Sequence, residues 1–394
     1  MKKWKQLLAV TAAAVMAVSS FAGCGSSSKE TEAKNDAGSA GDTFMIGGIG
    51  PTTGSTAVYG QAVKNAAELA VKEINEAGGA NGYQISFQFQ DDESDQEKAV
   101  NAYNALKDWG MQILMGTVTS GPCTAVVEKS KDDNMFQLTP SGSAVESIAY
   151  DNAFRVCFSD PNQGKASAQY IGENKIASKI AVIYDSSDVY SSGIYEKFAA
   201  EAKNQNLEIV AAEAFTADSK TDFSVQLQKA KDAGAELVFL PIYYQEASLI
   251  LTQADTMGFA PMFFGCDGLD GLLAVENFDT KLAEGVMLLT PFAADADDEK
   301  TQAFVSAYKE AYGDTPNQFA ADAYDAIYII KNAIEEGSVT PDMSISDICE
   351  ALKTAMTSIT YDGLTGEGMT WSADGEPSKE PKAVKIENGA YTAM

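Results

Sequence analysis

Glu236-Leu237-Val238-Phe239-Leu240 is an unbroken apolar run behind one acid, and an amphipathic helical pattern over residues 245–257 follows it. A strand that is apolar at every position has both faces covered, which a parallel sheet between two layers of helices provides. The same pairing recurs upstream. Lys179-Ile180-Ala181-Val182-Ile183-Tyr184 precedes a helical pattern over residues 193–204, and a strand pattern at 207–212 precedes a helix at 223–233. Before these, Phe44-Met45-Ile46-Gly47, residues 85–90 and Ile113-Leu114-Met115 alternate with helices over 56–77, over 96–109 and after Gly121-Pro122. In the first of those helices Val63, Ala67, Ala70 and Ile74 share one face, and Gly78-Gly79 ends it. Pro122 suits the first residue of its helix. Strand and helix in alternation predict βαβ crossovers, and two such blocks predict two Rossmann-like, doubly wound α/β lobes. A later helical block, residues 300–312, 319–336 and 345–356, must pack on one of them.

The chain has 394 residues, a length that suits two domains, and carries 28 Lys plus Arg against 56 Asp plus Glu, a formal net charge of −28. Nucleic acid and anionic lipid surfaces are poor partners for such a charge. There is no histidine. This excludes a Ser-His-Asp or Cys-His hydrolase, a histidine-ligated zinc site and a histidine proton shuttle. Cys123, Cys157, Cys266 and Cys349 contain no CxxC pair and are expected to pack as small buried hydrophobes.

At the N-terminus Lys2, Lys3 and Lys5 precede an apolar run over residues 7–21, too short for a mature membrane span, and Ala22-Gly23-Cys24 closes it. This layout resembles the lipobox of bacterial lipoproteins. The resemblance implies a signal peptide over 1–23 and a lipid on Cys24 that holds the chain to the outer face of the cell membrane, two or more acyl chains giving stable anchorage. Residues 24–42 are rich in Gly, Ser, Ala, Lys and Glu and read as a flexible tether reaching roughly 20–25 Å.

In open α/β sheets ligands sit beyond the carboxyl ends of the strands. After the third strand comes Gly116-Thr117-Val118-Thr119-Ser120-Gly121-Pro122, and after a short strand near Phe136 comes Leu138-Thr139-Pro140-Ser141-Gly142-Ser143. Both offer hydroxyls and free backbone N–H groups at helix starts, which suits a small carboxylate. Ser120 and Ser143 serve equally well as helix caps. The second block supplies Tyr184-Asp185 with Tyr190 and Gly193, then Tyr243-Tyr244-Gln245-Glu246, then Gly265-Cys266-Asp267-Gly268. Asp267 is placed to receive an ammonium group, since burying such a cation demands a carboxylate or several acceptors, and an Asp-Gly turn is its other reading.

Taken together, these positions resemble the leucine/isoleucine/valine-binding family of substrate-binding proteins, which have the type I periplasmic-binding fold and serve ABC importers. The resemblance runs from Phe44 to the C-terminal segment. It rests on Ile49-Gly50-Pro51-Thr52-Thr53-Gly54, Tyr59-Gly60, Ala77-Gly78-Gly79, Asp91-Asp92, Thr119-Ser120, Pro140-Ser141-Gly142-Ser143 and Phe154-Arg155, and continues through Tyr190, Gly193, Tyr243-Tyr244, Asp267-Gly268 and Phe319. It implies that Ser120, Ser143 and the amides around Ser141 and Gly142 hold a ligand carboxylate, and that Asp267 with a carbonyl near Ser141 holds the α-ammonium. Tyr59, Tyr190, Tyr243 or Tyr244, and Phe319 would then shape the side-chain pocket. It further implies an amino-acid ligand, ABC permease subunits as partners, an extracytoplasmic location, a monomer, and neither cofactor nor metal nor enzymatic chemistry. Two departures stand out. Asp267 replaces a longer glutamate, and Ser94 and Thr119 occupy the places of a disulfide known in some members.

The expected division is an N-terminal lobe of residues 43–157 plus 291–378 and a C-terminal lobe of 158–290 plus 379–394, joined by a three-strand hinge near 157, 290 and 378. Gly48-Ile49-Gly50-Pro51-Thr52-Thr53-Gly54 has the spacing GxGxxxG, not the dinucleotide fingerprint, and proline interrupts it. The acidic runs 91–95 and 295–299 read as solvated helix starts. Arg155, the single arginine, reads as a structural ion pair near the hinge. Other readings of the same cleft are a receptor for an amide, an aromatic acid or a nucleoside, a sensory ligand-binding module, and an exported enzyme using a Ser/Lys or carboxylate pair.

Overall fold

The computed structural model describes residues 42–394; the export segment, Cys24 and the tether up to residue 41 lie outside the described residues. In chain order the first block is β1 (Thr43–Gly50), α1 (Ala57–Glu76), β2 (Gln84–Asp91), α2 (Gln96–Trp109), β3 (Ile113–Gly116), α3 (Ser120–Asp132), β4 (Phe136–Thr139) and β5 (Ala153–Arg155). The second is α4 (Asp160–Glu173), β6 (Lys179–Asp185), α5 (Val189–Asn204), β7 (Glu208–Phe215), α6 (Ser224–Asp232), β8 (Leu237–Leu240), α7 (Tyr244–Thr256), β9 (Met262–Gly265) and β10 (Met287–Thr290). Three helices follow, α8 (Glu299–Tyr312), α9 (Gln318–Glu336) and α10 (Ile345–Met356), and then the strands β11 (Lys382–Glu387) and β12 (Ala390–Ala393).

The first sheet has the order β2-β1-β3-β4-β5 and is parallel throughout. The second has the order β12-β11-β10-β9-β8-β6-β7, parallel from β7 to β10. All four residues of β8 are buried, as both covered faces require. Two lobes with parallel sheets are therefore present, as the alternating pattern predicted. The late helical block packs on the first lobe, where α9 runs against α1. Val63, Ala67, Ala70 and Ile74 of α1 are all buried there.

Several local expectations need correction. α5 starts at Val189, ahead of residue 193, because Asp188 caps it by accepting from the Tyr190 amide. α3 starts at Ser120, which makes Pro122 its third residue. The acids at 91–95 are only partly a solvated helix start. Asp95 does cap α2, but Asp91 accepts from the amides of Thr52 and Thr53 and the Thr53 hydroxyl, pinning the loop after β1, and Asp92 is buried. β11 and β12 form an antiparallel hairpin on the edge of the second sheet, where a wholly parallel sheet was expected. Lys382, Lys385 and Glu387 interrupt the apolar residues of β11, and β12 is only four residues long, a weaker strand signal than the continuous runs.

The chain passes between the sheets after β5, after β10 and before β11, and buried cations hold these crossings. The Arg155 side chain is 1% exposed, and its Nε stands 3.1 Å from Glu376 Oε2, the ion pair expected of it. Trp371 Nε1 donates to the Arg155 carbonyl at 2.8 Å, tying the last crossing to the first. Lys379 Nζ donates to Asp322 at 2.8 Å, to the Thr365 hydroxyl at 2.7 Å and to the Val156 carbonyl at 3.1 Å. Removing one member of such a buried pair strands the other charge. Lys379→Met is expected to lose about 3–5 kcal/mol of stability in urea unfolding at neutral pH, and the double variant Lys379→Met/Asp322→Leu to lose less than the single one.

Candidate functional site

The segments at the carboxyl ends of β1, β3, β4, β6, β8 and β9 meet with the start of α9 around one narrow space of about 10 Å³ between the lobes. From the first lobe come Tyr59, Val118, Thr119, Ser120, Ser141, Ser143 and Phe319; from the second come Tyr190, Tyr243, Asp267 and Gly268. Eight of the ten residues singled out from the sequence thus line it: Tyr59, Ser120, Ser141, Ser143, Tyr190, Tyr243, Asp267 and Phe319. Gly142 and Tyr244 do not. The Gly142 amide donates to Thr139 Oγ1 at 2.7 Å, and its carbonyl accepts from Arg155, so the residue is committed to its own loop. Tyr244 stands behind Tyr59, with rings 4.9 Å apart edge to face, and its hydroxyl accepts from the Val58 amide.

The serine loop is built from both sides. Ser120 Oγ lies 3.4 Å from Ser143 Oγ and accepts from the Ala144 amide at 3.1 Å, while Ser141 Oγ donates to the Val118 carbonyl at 2.7 Å. Arg155 Nη1 donates to the carbonyls of Gly142 and Ser143, the latter at 2.5 Å. With its carbonyls held from behind, the loop presents hydroxyls to the cleft. Ser94 and Thr119 are in contact, with Thr119 Oγ1 donating to Ser94 Oγ at 3.1 Å, and Ser94 Oγ also lies 2.6 Å from Thr56 Oγ1. A hydrogen-bonded trio stands where the resemblance places a disulfide. Cys123, Cys157, Cys266 and Cys349 are buried and unpaired.

Opposite the serines, aromatic rings form the walls. Tyr190 and Tyr243 stack at 4.9 Å and 9°, Tyr59 meets Tyr243 at 5.9 Å, and Phe319 lies 4.0 Å from Tyr59. The Tyr59 hydroxyl donates to the Gly268 carbonyl at 2.5 Å, so the two lobes touch at this point. Gly268 has no room for a side chain, because a Cβ there would stand 2.6 Å from the Tyr190 hydroxyl and 2.8 Å from the Ile242 carbonyl.

Asp267 is 5% exposed, and its Oδ1 accepts from the Tyr190 hydroxyl at 2.7 Å. Its backbone is fixed by Gln163, which accepts from the amide, and by Gln318, whose Nε2 donates to the carbonyl at 2.8 Å. Burial pushes its carboxyl up to about 7, and the nearby Asp322 adds to the rise while the Tyr190 hydrogen bond opposes it. Asp160, the first residue of α4, escaped the sequence reading. Its amide donates to the Ser143 carbonyl at 2.9 Å, but neither carboxylate oxygen has a hydrogen-bond partner, and Gln163 Nε2 also lacks one. The Ser143 hydroxyl is the dipole beside it, short of hydrogen-bond geometry. Burial raises its carboxyl well above the usual range, and the Asp267 charge adds to this. Val118, Thr119 and Gly268 lie in the strand-end segments already singled out from the sequence, whereas nothing in the local sequence around Asp160 distinguishes it.

A sequence profile of the family described as Periplasmic binding protein matches residues 43–390. The chain belongs to the periplasmic binding protein family. Members are non-enzymatic solute binders, and this chain is one. The leucine-, isoleucine-, valine-, threonine- and alanine-binding protein of Pseudomonas aeruginosa is 30% identical over 317 residues, which cover 80% of this chain and 83% of that protein. The branched-chain amino acid transporter substrate-binding protein LivJ of Streptococcus pneumoniae, solved in complex with isoleucine, shares the fold with a TM-score of 0.81 at 30% identity, over 89% of this chain and 98% of that one. A benzoate-bound solute-binding protein of an ABC transporter from R. palustris shares the fold alone, with a TM-score of 0.79 at 21% identity over 89% of this chain and 95% of that one.

In this periplasmic binding protein the buried acids have a consequence for stability. Asp92, Asp267 and Asp270 are raised to about 7 and Asp322 to about 6, each mainly by burial. Each holds its proton more tightly folded than unfolded, so the stability it contributes is full below the ordinary carboxylate range and is lost as pH rises through these values. Asp91 and Glu236, held below their usual range, stay ionised across that window and add no slope. The ligand-free protein is therefore expected to melt at a lower temperature above about pH 7 than just below about pH 6, as read by calorimetry across that window.

Proposed function

We propose that this protein is a lipid-anchored, extracytoplasmic receptor that captures an α-amino acid, branched-chain or similarly compact, in the interlobe space and delivers it to the permease subunits of an ABC importer. The observation that carries the reading is the facing of two complementary seats, the paired hydroxyls of Ser120 and Ser143 on one lobe and the buried carboxylate of Asp267 on the other. The first suits a ligand carboxylate in the absence of a free arginine. The second suits an α-ammonium. Aromatic walls from Tyr59, Tyr190, Tyr243 and Phe319 then favour an apolar side chain once the lobes part to admit it, in keeping with the ligands for which the Pseudomonas aeruginosa relative is named.

The lobes close on the ligand by hinge motion about the three crossings, with the N-terminal lobe at 43–157 plus 291–378 and the C-terminal lobe at 158–290 plus 379–394. The protein acts as a monomer, without cofactor. Cys24 carries the anchor, and the tether keeps the receptor near its permease. Mass spectrometry of the mature N-terminus is expected to find a diacylglyceryl-modified Cys24; an unmodified residue there would remove the anchor from the proposal.

Titration calorimetry against the common amino acids tests the ligand. Isoleucine, leucine or valine is expected to bind, and Asp267→Ala to weaken that binding by about 2–5 kcal/mol, the range for truncating one partner of a buried charge pair. Affinity is also expected to fall as pH drops through about 7, because Asp267 must give up its proton to receive the ammonium. If no α-amino acid binds, the receptor serves a different small polar solute.

A further inference from the structure

A second and larger space, of about 820 Å³, lies between the lobes and shares no lining residue with the first. Its size falls within the range of about 300–1,000 Å³ typical of small-molecule sites. The Tyr59 to Gly268 hydrogen bond and the contacts of Gln318 with Asp267 and Asp270 belong to the partition between the two. One wall comes from α1 and the α8–α9 connection of the first lobe, the other from β10, the segment after β9 and the C-terminal hairpin. An occupant would therefore touch both lobes.

The chemistry of this space has one sign. Asp270 lines it at 5% exposure, accepting from the Gln318 amide at 2.8 Å with the Tyr391 hydroxyl alongside. Among the described residues no lysine or arginine forms an ion pair with it. The start of α9 offsets part of its charge, yet burial still pushes its carboxyl up to about 7. Asp295 and Asp314 line the same space against a single Lys309. Between floor and mouth run apolar surfaces from Val58, Ala62, Leu273, Leu288 and Phe292.

We propose that this second space binds an organic ammonium ion with a short apolar body, its charged end on Asp270 and its chain along the apolar walls, separately from the ligand of the first space. An anion would meet uncompensated carboxylates, and a neutral apolar molecule would bury Asp270 without a counter-charge. Because both lobes supply walls, the occupant stabilises the arrangement in which the lobes are together. Linkage then requires that it strengthen binding in the first space by the same factor as the first ligand strengthens its own. The proposal does not depend on which ligand the first space takes.

Calorimetric titration of the full chain with n-hexylamine, n-hexanol and hexanoate tests it. Saturable one-to-one binding of the ammonium form is expected, at least about tenfold tighter than the alcohol, with none for the carboxylate. Asp270→Asn should weaken hexylammonium at least about tenfold. Leu273→Arg, which places a tethered cation at the half-buried wall, should abolish its binding even if the Asp270 variant fails to fold. Isoleucine, added first, should tighten hexylammonium binding. Absence of saturable binding, equal binding of the three probes, or displacement by isoleucine would each overturn the proposal. Failure of isoleucine itself to bind would count against the amino-acid reading and leave the hexylammonium titration interpretable.

Discussion

A strand such as Leu237–Leu240, with all four side chains buried, can be accommodated only where helices cover both faces of its sheet. Parallel neighbours then require a crossover after each strand, so every carboxyl end in a sheet opens on the same edge. Two such sheets in one chain bring two sets of loops face to face. The loops cannot bury their backbone groups without partners, and they carry the hydroxyls, amides and carboxylates that make the cleft polar. The site follows from the way the strands are covered.

Charge balance gives the cleft its sign. The chain is acidic, and the buried cations nearest the crossings are already engaged, Arg155 with the carbonyls of the serine loop and Glu376, Lys379 with Asp322. Among the described residues, Asp267, Asp160 and Asp270 are buried without an ion-pair partner. Their elevated proton affinity is the cost of that arrangement, and the ammonium groups proposed for Asp267 and Asp270 would relieve it. The same logic makes Arg155 a support of the serine loop, because it holds the carbonyls of Gly142 and Ser143 from behind.

Much of the fold was legible because its signals are local. The runs at 113–115, 179–184 and 236–240, the face of α1 and the span of α9 depend on residues a few positions apart, and they emerged within a residue or two of the structure. Boundaries failed where a side chain decided them, as Asp188 does by capping α5 ahead of Gly193. The β11–β12 hairpin was missed because its strands, half exposed at a sheet edge, have no continuous apolar run.

For the site, the residue types and strand-end positions of Ser120, Ser141, Ser143, Tyr190, Tyr243 and Asp267 could be read from the chain, and the resemblance added Tyr59 and Phe319. Composition, the alternation of strands and helices along the chain and the absence of histidine were likewise properties of the sequence alone, since each rests on local chemistry or on simple presence. Which of Tyr243 and Tyr244 faces the cleft, that Gly142 is turned into its own loop, that Asp160 stands unpartnered behind Ser143, and that Tyr59 reaches Gly268 across 209 positions were decided by tertiary structure. These depend on which loops meet when two separately wound sheets close against each other, and no local pattern in a chain encodes that geometry.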